Sequence, residues 1–185
     1  MNEQNMNVDF AGRSVNSQSQ EWCTPKKYAD LIDKFFTGSL ELDPCSNENS
    51  IIKSKIKFCL PYKDGLHEEW KCKSIFVNPP YGADRIRKTT IKDWFRKVWE
   101  SRNKYKSEII MLVPCATNTS HWKEYVWNKA NAICFLYDTR LKFRINGNEN
   151  NKGCPMACCL IYYGECVSKF EDIFCGFGAV VNINK

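Results

Sequence analysis

Apolar positions along the chain alternate between a helical period and short unbroken runs. In "EWCTPKKYADLIDKFFTG" (21–38), Tyr28, Leu31, Ile32, Phe35 and Phe36 fall on one helical face. Thr24 is the expected N-cap, Pro25 occupies the first helical position, and Gly38 stops the helix. The period returns in "TIKDWFRKVWESRNKY" (90–105), through Ile91, Trp94, Phe95, Val98 and Trp99. "TSHWKEYVWNKA" (119–130) reads as a third helix, capped by Thr119 or Ser120. Between these lie runs of strand length: "SLELDP" breaking at Pro44, "SIFV" (74–77), "EIIMLVP" (108–114), "AICFLY" (132–137) and "MACCLIYYG" (156–164). Such continuous apolar runs are typical of buried parallel strands.

Three segments are less definite. "SIIKSKIKF" (50–58) fits a helix or a strand, and "RLKF" (140–143) either continues the strand before it or begins a new one. "YKDGL" (62–66) is a turn signal and "NGNENNKG" (146–153) a polar loop by composition. Strands alternating with amphipathic helices predict an α/β fold, a mixed, mostly parallel sheet with helices on both faces. In such sheets ligands bind beyond the carboxyl ends of the strands. The two polar strand ends, "LDP" (42–44) and "VNPPY" (77–81), are expected at that edge.

The length of 185 residues suits one domain. Residues 1–20, rich in Asn, Gln and Ser, read as a flexible tail, leaving 21–185 as the folded domain. The balance of 27 Lys+Arg against 21 Asp+Glu, net +6, favours a polyanionic partner. No apolar run is long enough for a bilayer and the polar start "MNEQNMNVDF" is not a signal peptide, so a cytoplasmic protein with no membrane partner is expected. Eleven cysteines show no C-x-x-C spacing, and the two histidines, His67 and His121, lie far from the densest group (Cys154, Cys158, Cys159). The cysteines therefore read as small, mostly core residues in a reducing compartment, and no metal site is expected.

The segment "FVNPPYG" (76–82) carries the sharpest chemistry. A residue before proline is pushed out of the helical region, so Asn78 and Pro79 are held extended. Each proline fixes its own φ and has no N–H. The segment thus offers carbonyl oxygens and the Asn78 side-chain oxygen as acceptors, with Tyr81 as a flat surface beside them. Such a cluster suits an amine on a planar ring. Acceptors that bind its hydrogens out of the ring plane pull the nitrogen toward tetrahedral geometry and stabilise the charge that develops as it attacks an electrophile. Stacking on Tyr81 would contribute roughly 1–3 kcal/mol.

This segment and its companions "EWCTP" (21–25), "LDPCS" (42–46), "DGLHEEW" (64–70), "MLVPCATNTSHW" (111–122) and "RLKF" (140–143) occur in an order that resembles the phage-type DNA adenine-N6 methyltransferase family over most of 21–180. The resemblance implies a single Rossmann-like class I methyltransferase domain using S-adenosylmethionine on double-stranded DNA, phage or prophage encoded. It implies catalytic roles for Asn78, Pro79, Pro80 and Tyr81. It implies cofactor contacts from Trp22, Thr24 and Pro25, from Asp43, Pro44 and Cys45 after the first strand, and from Asp64. Many methyltransferases place glycines after that strand, where this chain reads "DPCSNENS" (43–50); Cys45 and Ser46 are the small residues there.

DNA contacts are expected from loops: Arg85, Arg87 and Lys88 in "DRIRKTTIK" (84–92), His121, and Arg144 ahead of the loop 146–153. A solvated loop is the plainer reading of the first. The Pro-Cys pair at Cys115 matches the nucleophile of cytosine methyltransferases, but among ten other cysteines it reads as packing at a strand end. The same motif also serves amino methyltransferases acting on RNA or on a protein glutamine, and an inactive nucleic-acid-binding homologue is the remaining alternative.

Overall fold

A computed structural model describes residues 22–149 and 152–183; the expected tail at 1–20 lies outside them. Helix α1 (Lys26–Phe35) buries Tyr28, Ala29, Ile32 and Phe35, as its period requires. Pro25, extended at φ −60° and ψ 147°, is the N-cap, so the helix starts one residue later than expected and Thr24 makes no cap bond. The chain leaves the helix through two left-handed residues, Thr37 (φ 52°) and Gly38 (φ 69°). Helix α2 (Ile91–Tyr105) opens on a capping box in which the Thr90 amide donates to Asp93 Oδ2 at 2.8 Å. Helix α3 (Ser120–Tyr125) is shorter than the expected 119–130, and Thr119 at its N-cap position makes no side-chain cap bond, its hydroxyl donating to the Ala116 carbonyl at 2.7 Å instead. Helix α4 (Val167–Phe174) and the strand after it lie beyond the last expected element.

Seven strands form one sheet: β1 (Leu42–Asp43), β2 (Ile56–Lys57), β3 (Ser74–Val77), β4 (Glu108–Pro114), β5 (Ala132–Leu136), β8 (Cys158–Tyr163) and β9 (Gly178–Asn182). Their order is β2-β1-β3-β4-β8-β5-β9. The first four run parallel, β8 opposes both β4 and β5, and β9 opposes β5. The sheet is therefore mixed. Strand β4 is parallel to β3 on one side only, with Ile110 facing Tyr162 on the antiparallel side. The ambiguous segment 50–58 is neither helix nor long strand; only β2 within it pairs, and both its residues are exposed.

Alternation along the strands splits the core in two. Phe76, Ile110, Leu112, Cys134, Leu160 and Tyr162 face α1 and α4. Ile75, Val77, Ile109, Met111, Val113, Ile133 and Ile161 face α2 and α3. Helices thus cover both faces, which is why the central strands are apolar throughout. Phe35 illustrates the packing, with Tyr162, Phe170 and Phe174 rings at 5.4, 6.2 and 6.3 Å.

The polar segment after 143 is not an open loop. β6 (Arg144–Ile145) and β7 (Asn148–Glu149) form a hairpin whose turn is Asn146 (φ 50°) and Gly147 (φ 78°). Two consecutive left-handed residues make the type I′ turn that Asn-Gly favours. The cysteines are all free; five are buried, four half-buried, and Cys166 and Cys175 exposed, so the core holds fewer of them than composition suggested. No described helix is long and apolar enough to cross a membrane.

Candidate active site

Because β1, β3 and β4 are parallel, their carboxyl ends meet at one edge of the sheet. Asp43, Asn78 and Cys115 stand there, each just at or beyond a strand end. The segment 22–24 crosses to the same edge, held by a backbone bridge in which Cys23 and Arg144 exchange two hydrogen bonds of 2.9 Å. That bridge presents the two residues flanking Cys23 to Asn78. Asn78 Nδ2 donates to the Trp22 carbonyl at 3.0 Å and to Thr24 Oγ1 at 3.3 Å.

A carbonyl oxygen can only accept, so the amide nitrogen must be the atom facing Trp22. Both amide hydrogens are thereby used. Oδ1 is left as an acceptor with a fixed direction, beside prolines that cannot donate. Thr24, displaced from the capping role, is thus a partner of the motif's asparagine.

Tyr81 is only 6% exposed and its hydroxyl donates to the Leu112 carbonyl at 3.1 Å. Its ring meets Trp22 edge-on at 6.1 Å and Phe143 edge-on at 5.7 Å. Trp22 in turn stacks on Phe143 at 5.1 Å with the planes 12° apart. Burial pushes the Tyr81 hydroxyl well above its usual pKa, so it stays protonated and takes no part as a base. In this arrangement the ring is one wall of an aromatic cluster.

On the other side of the motif lies a cleft of about 150 Å³ lined by Pro44, Cys45, Phe58, Asp64, Gly65 and Pro80, with loop 82–90 and Trp94 completing it. A Cβ at Gly65 would sit 1.9 Å from the Pro44 carbonyl oxygen. Gly65 therefore supplies the close backbone approach that the glycine-free segment after β1 lacks. Asp64 Oδ1 accepts from the Leu66 amide at 3.0 Å and from Arg87 Nη2 at 2.9 Å, while His67 Nδ1 lies 3.1 Å from Oδ2.

Asp43 is buried behind this cleft at 3% exposure, accepting from the Cys45 amide at 3.4 Å and from Ser50 Oγ at 3.3 Å. Loss of water raises its carboxyl to about 6, against the opposing pull of those hydrogen bonds. Burial, reinforced by the Asp43 charge, holds the Cys45 thiol well above its usual range. Cys115, whose amide donates to the Ala157 carbonyl at 2.9 Å, is half-buried at the end of β4 with its thiol lowered by a hydrogen bond from Cys159.

The sequence-expected residues thus fall into two groups. Trp22 and Thr24 meet Asn78, with Pro25 following at the start of α1; Pro44, Cys45, Asp64 and Pro80 line the cleft, with Asp43 beneath. Arg87, expected on DNA, turns inward, its guanidinium between Asp64 and Asp84 and its side chain 20% exposed. Arg85 and Lys88 are exposed. His121 packs on Phe95 at 4.9 Å and meets Thr119 Oγ1 at 3.1 Å through Nε2. Arg144 donates to the Gly147 carbonyl and so braces the hairpin turn. Phe143, Phe58 and Gly65 were not among the expected site residues. Of these, Gly65 had a local signal as part of a turn, and Phe143 lies in the segment "RLKF" (140–143) without having been assigned a role.

Among the described residues no group of three or more His, Cys, Asp or Glu side chains is arranged to hold a metal ion. Fold and site together define an α/β protein with a carboxyl-edge cleft beside a rigid acceptor motif. The family model for DNA N-6-adenine-methyltransferase (Dam) matches residues 12–171, and the chain belongs to that family. It is accordingly an enzyme that methylates the N6 amine of adenine in DNA. No curated protein and no solved structure matches the chain.

Proposed function

We propose that the domain is a Rossmann-like class I methyltransferase that binds S-adenosylmethionine in the cleft beside Pro44 and Asp64 and takes a flipped adenine from double-stranded DNA at Asn78. The observation that carries this reading is the use of both Asn78 amide hydrogens by Trp22 and Thr24, which leaves Oδ1 aimed as an acceptor.

The lining fits the cofactor chemically. Phe58, Leu60, Pro44 and Pro80 offer apolar surface for a purine, and Asp64 is an acceptor for hydroxyl or ammonium groups. The Gly65–Pro44 approach shapes the cleft where a Cβ would force its walls apart. When bound, S-adenosylmethionine supplies an electrophilic methyl group on a sulfonium. Asn78 Oδ1 and the Pro79 carbonyl accept the two hydrogens of the adenine amine and stabilise the positive charge that grows on it. The prolines and the Trp22 and Thr24 contacts keep those acceptors in place, so little reorganisation is needed. Trp22, half-buried and backed by the buried rings of Tyr81 and Phe143, supplies the aromatic surface against which the base is held. The extra proton on the product amine leaves to water. Arg85 and Lys88 contact phosphates, and the net charge of +6 draws the polyanion in. Eleven free thiols suit a cytoplasmic setting.

The test supplies purified protein with methyl-labelled S-adenosylmethionine and unmethylated duplex DNA, then digests to nucleosides. Label is expected only in N6-methyladenine. Label in RNA or protein under matched conditions, or in another nucleoside, contradicts the reading.

A further inference from the structure

Loop 83–90, between the motif and α2, faces two ways. Inward, Asp84, Arg87 and Thr89 line the cleft, and Arg87 Nη2 holds Asp64 Oδ1 at 2.9 Å. The loop is closed by a backbone pair, Asp84 amide to Thr89 carbonyl at 2.8 Å and the reverse at 3.1 Å. Asp84 Oδ1 also accepts from the amides of Ile86 and Arg87 at 3.0 and 2.9 Å. Outward, this frame presents Ile86 at 95% exposure, between the exposed side chains of Arg85 and Lys88.

A single exposed apolar residue is ordinary on a protein surface. The setting of Ile86 is not. It stands at the tip of a hydrogen-bonded loop, flanked by cations, and the same loop walls the cleft beside the acceptor motif. That combination matches duplex DNA. Cations on either side meet phosphates, and an apolar tip enters the base stack. The reaction also creates the space such a tip would fill, because adenine must leave the helix before its amine can be reached.

We infer that Ile86 is a wedge that occupies the gap left by the flipped adenine, seated there by Arg85 and Lys88. Arg87 ties the wedge loop to the cleft wall through Asp64. This inference rests on duplex DNA being the substrate.

The test first maps the methylated site in plasmid DNA with the wild-type enzyme and builds it into two oligonucleotide duplexes. One is fully paired; the other has an abasic site opposite the target adenine, which lowers the cost of extrusion. Single-turnover methylation is then compared for wild type, Ile86→Ala and Ile86→Leu. On the paired duplex Ile86→Ala is expected to be slower by roughly tenfold or more, since unstacking a step costs a few kcal/mol. On the abasic duplex it recovers to within about threefold of wild type, because little is left to unstack. Ile86→Leu stays near wild type on both. Ile86→Ala at the wild-type rate on the paired duplex, or equally slow on both duplexes, overturns the wedge. Wild-type enzyme that leaves no N6-methyladenine in plasmid DNA instead overturns the underlying reading, and the wedge with it.

Discussion

The two walls of the site are built from opposite materials. The wall formed by 22–24, Asn78, Tyr81 and Phe143 is neutral, largely buried, and closed by a bridge, an amide with both hydrogens bonded and stacked rings. The wall formed by 62–67 and 82–90 is charged, with the mostly buried Arg87 side chain held between Asp64 and Asp84 and with Arg85 and Lys88 exposed on its outer side. Neutral dipoles that are already oriented serve a developing charge without rearranging. Charged groups lining a cleft offer partners to polar ligands, and exposed cations beside it meet phosphates. On the proposed reading, chemistry belongs to the first wall and ligand capture to the second.

Changes on the first wall should act on turnover. Asn78→Ala removes the aimed acceptor, and kcat should fall by about 10²–10³. Binding of S-adenosylmethionine, measured by titration calorimetry, should change by less than about threefold. A variant that lost cofactor binding in proportion would place Asn78 on the wrong wall.

Asp43, beneath the cleft, sharpens the comparison through pH. Its carboxyl is raised to about 6 in the folded protein from an ordinary 3.8. A raised pKa means that the folded state resists ionisation. Its favourable contribution is therefore complete below the unfolded value and is lost as pH rises through about 6. Asp43→Asn escapes this, so its urea stability relative to wild type should improve with pH by about 3 kcal/mol, from 1.36 kcal/mol per unit. The change should level off above neutrality. A difference that does not vary with pH would mean the carboxyl is better hydrated than its burial implies.

Thr24→Val deletes one of the two acceptors that hold Asn78. The loss should be about 1 kcal/mol, roughly fivefold in kcat, with KM for DNA unchanged. Thr24→Ser keeps the hydroxyl and should restore the rate. A rise in KM with kcat intact would assign Thr24 to substrate binding instead.

The smallest effects belong to the two exposed cations of the second wall. Arg85→Ala and Lys88→Ala should each reduce the slope of log affinity against log salt by about 1 on duplex DNA, uniformly across sequences. Saturating kcat should stay within about twofold of wild type.

Much of the fold was legible because it is written in local periods. The helical faces of α1 and α2 and the apolar runs of β3, β4, β5 and β8 repeat at fixed spacing, and packing on both faces of the sheet requires that pattern. The motif 78–81 was legible for the same reason, since proline geometry is local. What joins the motif to the rest of the chain was not. Thr24 has the side chain of an N-cap, and nothing nearby in sequence says that its hydroxyl will meet Asn78 across the fold. Phe143 ends the segment "RLKF", but its place in the site depends on the Cys23–Arg144 bridge that brings it under Trp22. Arg87 belongs to a basic run, and its inward turn depends on Asp64, distant in sequence, as well as on Asp84 nearby. The Asn146–Gly147 hairpin was a signal present in the sequence but outweighed by the polar composition around it.

The most direct test of the account is the single-turnover methylation rate of Asn78→Asp on duplex DNA, with cofactor binding checked in parallel. Aspartate keeps the shape and an acceptor oxygen, but it replaces the amide hydrogens facing Trp22 and Thr24 with a second oxygen, 3.0 Å from the Trp22 carbonyl. If the fixed amide is what aims the acceptor, the rate should fall toward that of Asn78→Ala while cofactor affinity holds. A rate within about twofold of wild type would show that the two contacts do not orient the catalytic oxygen.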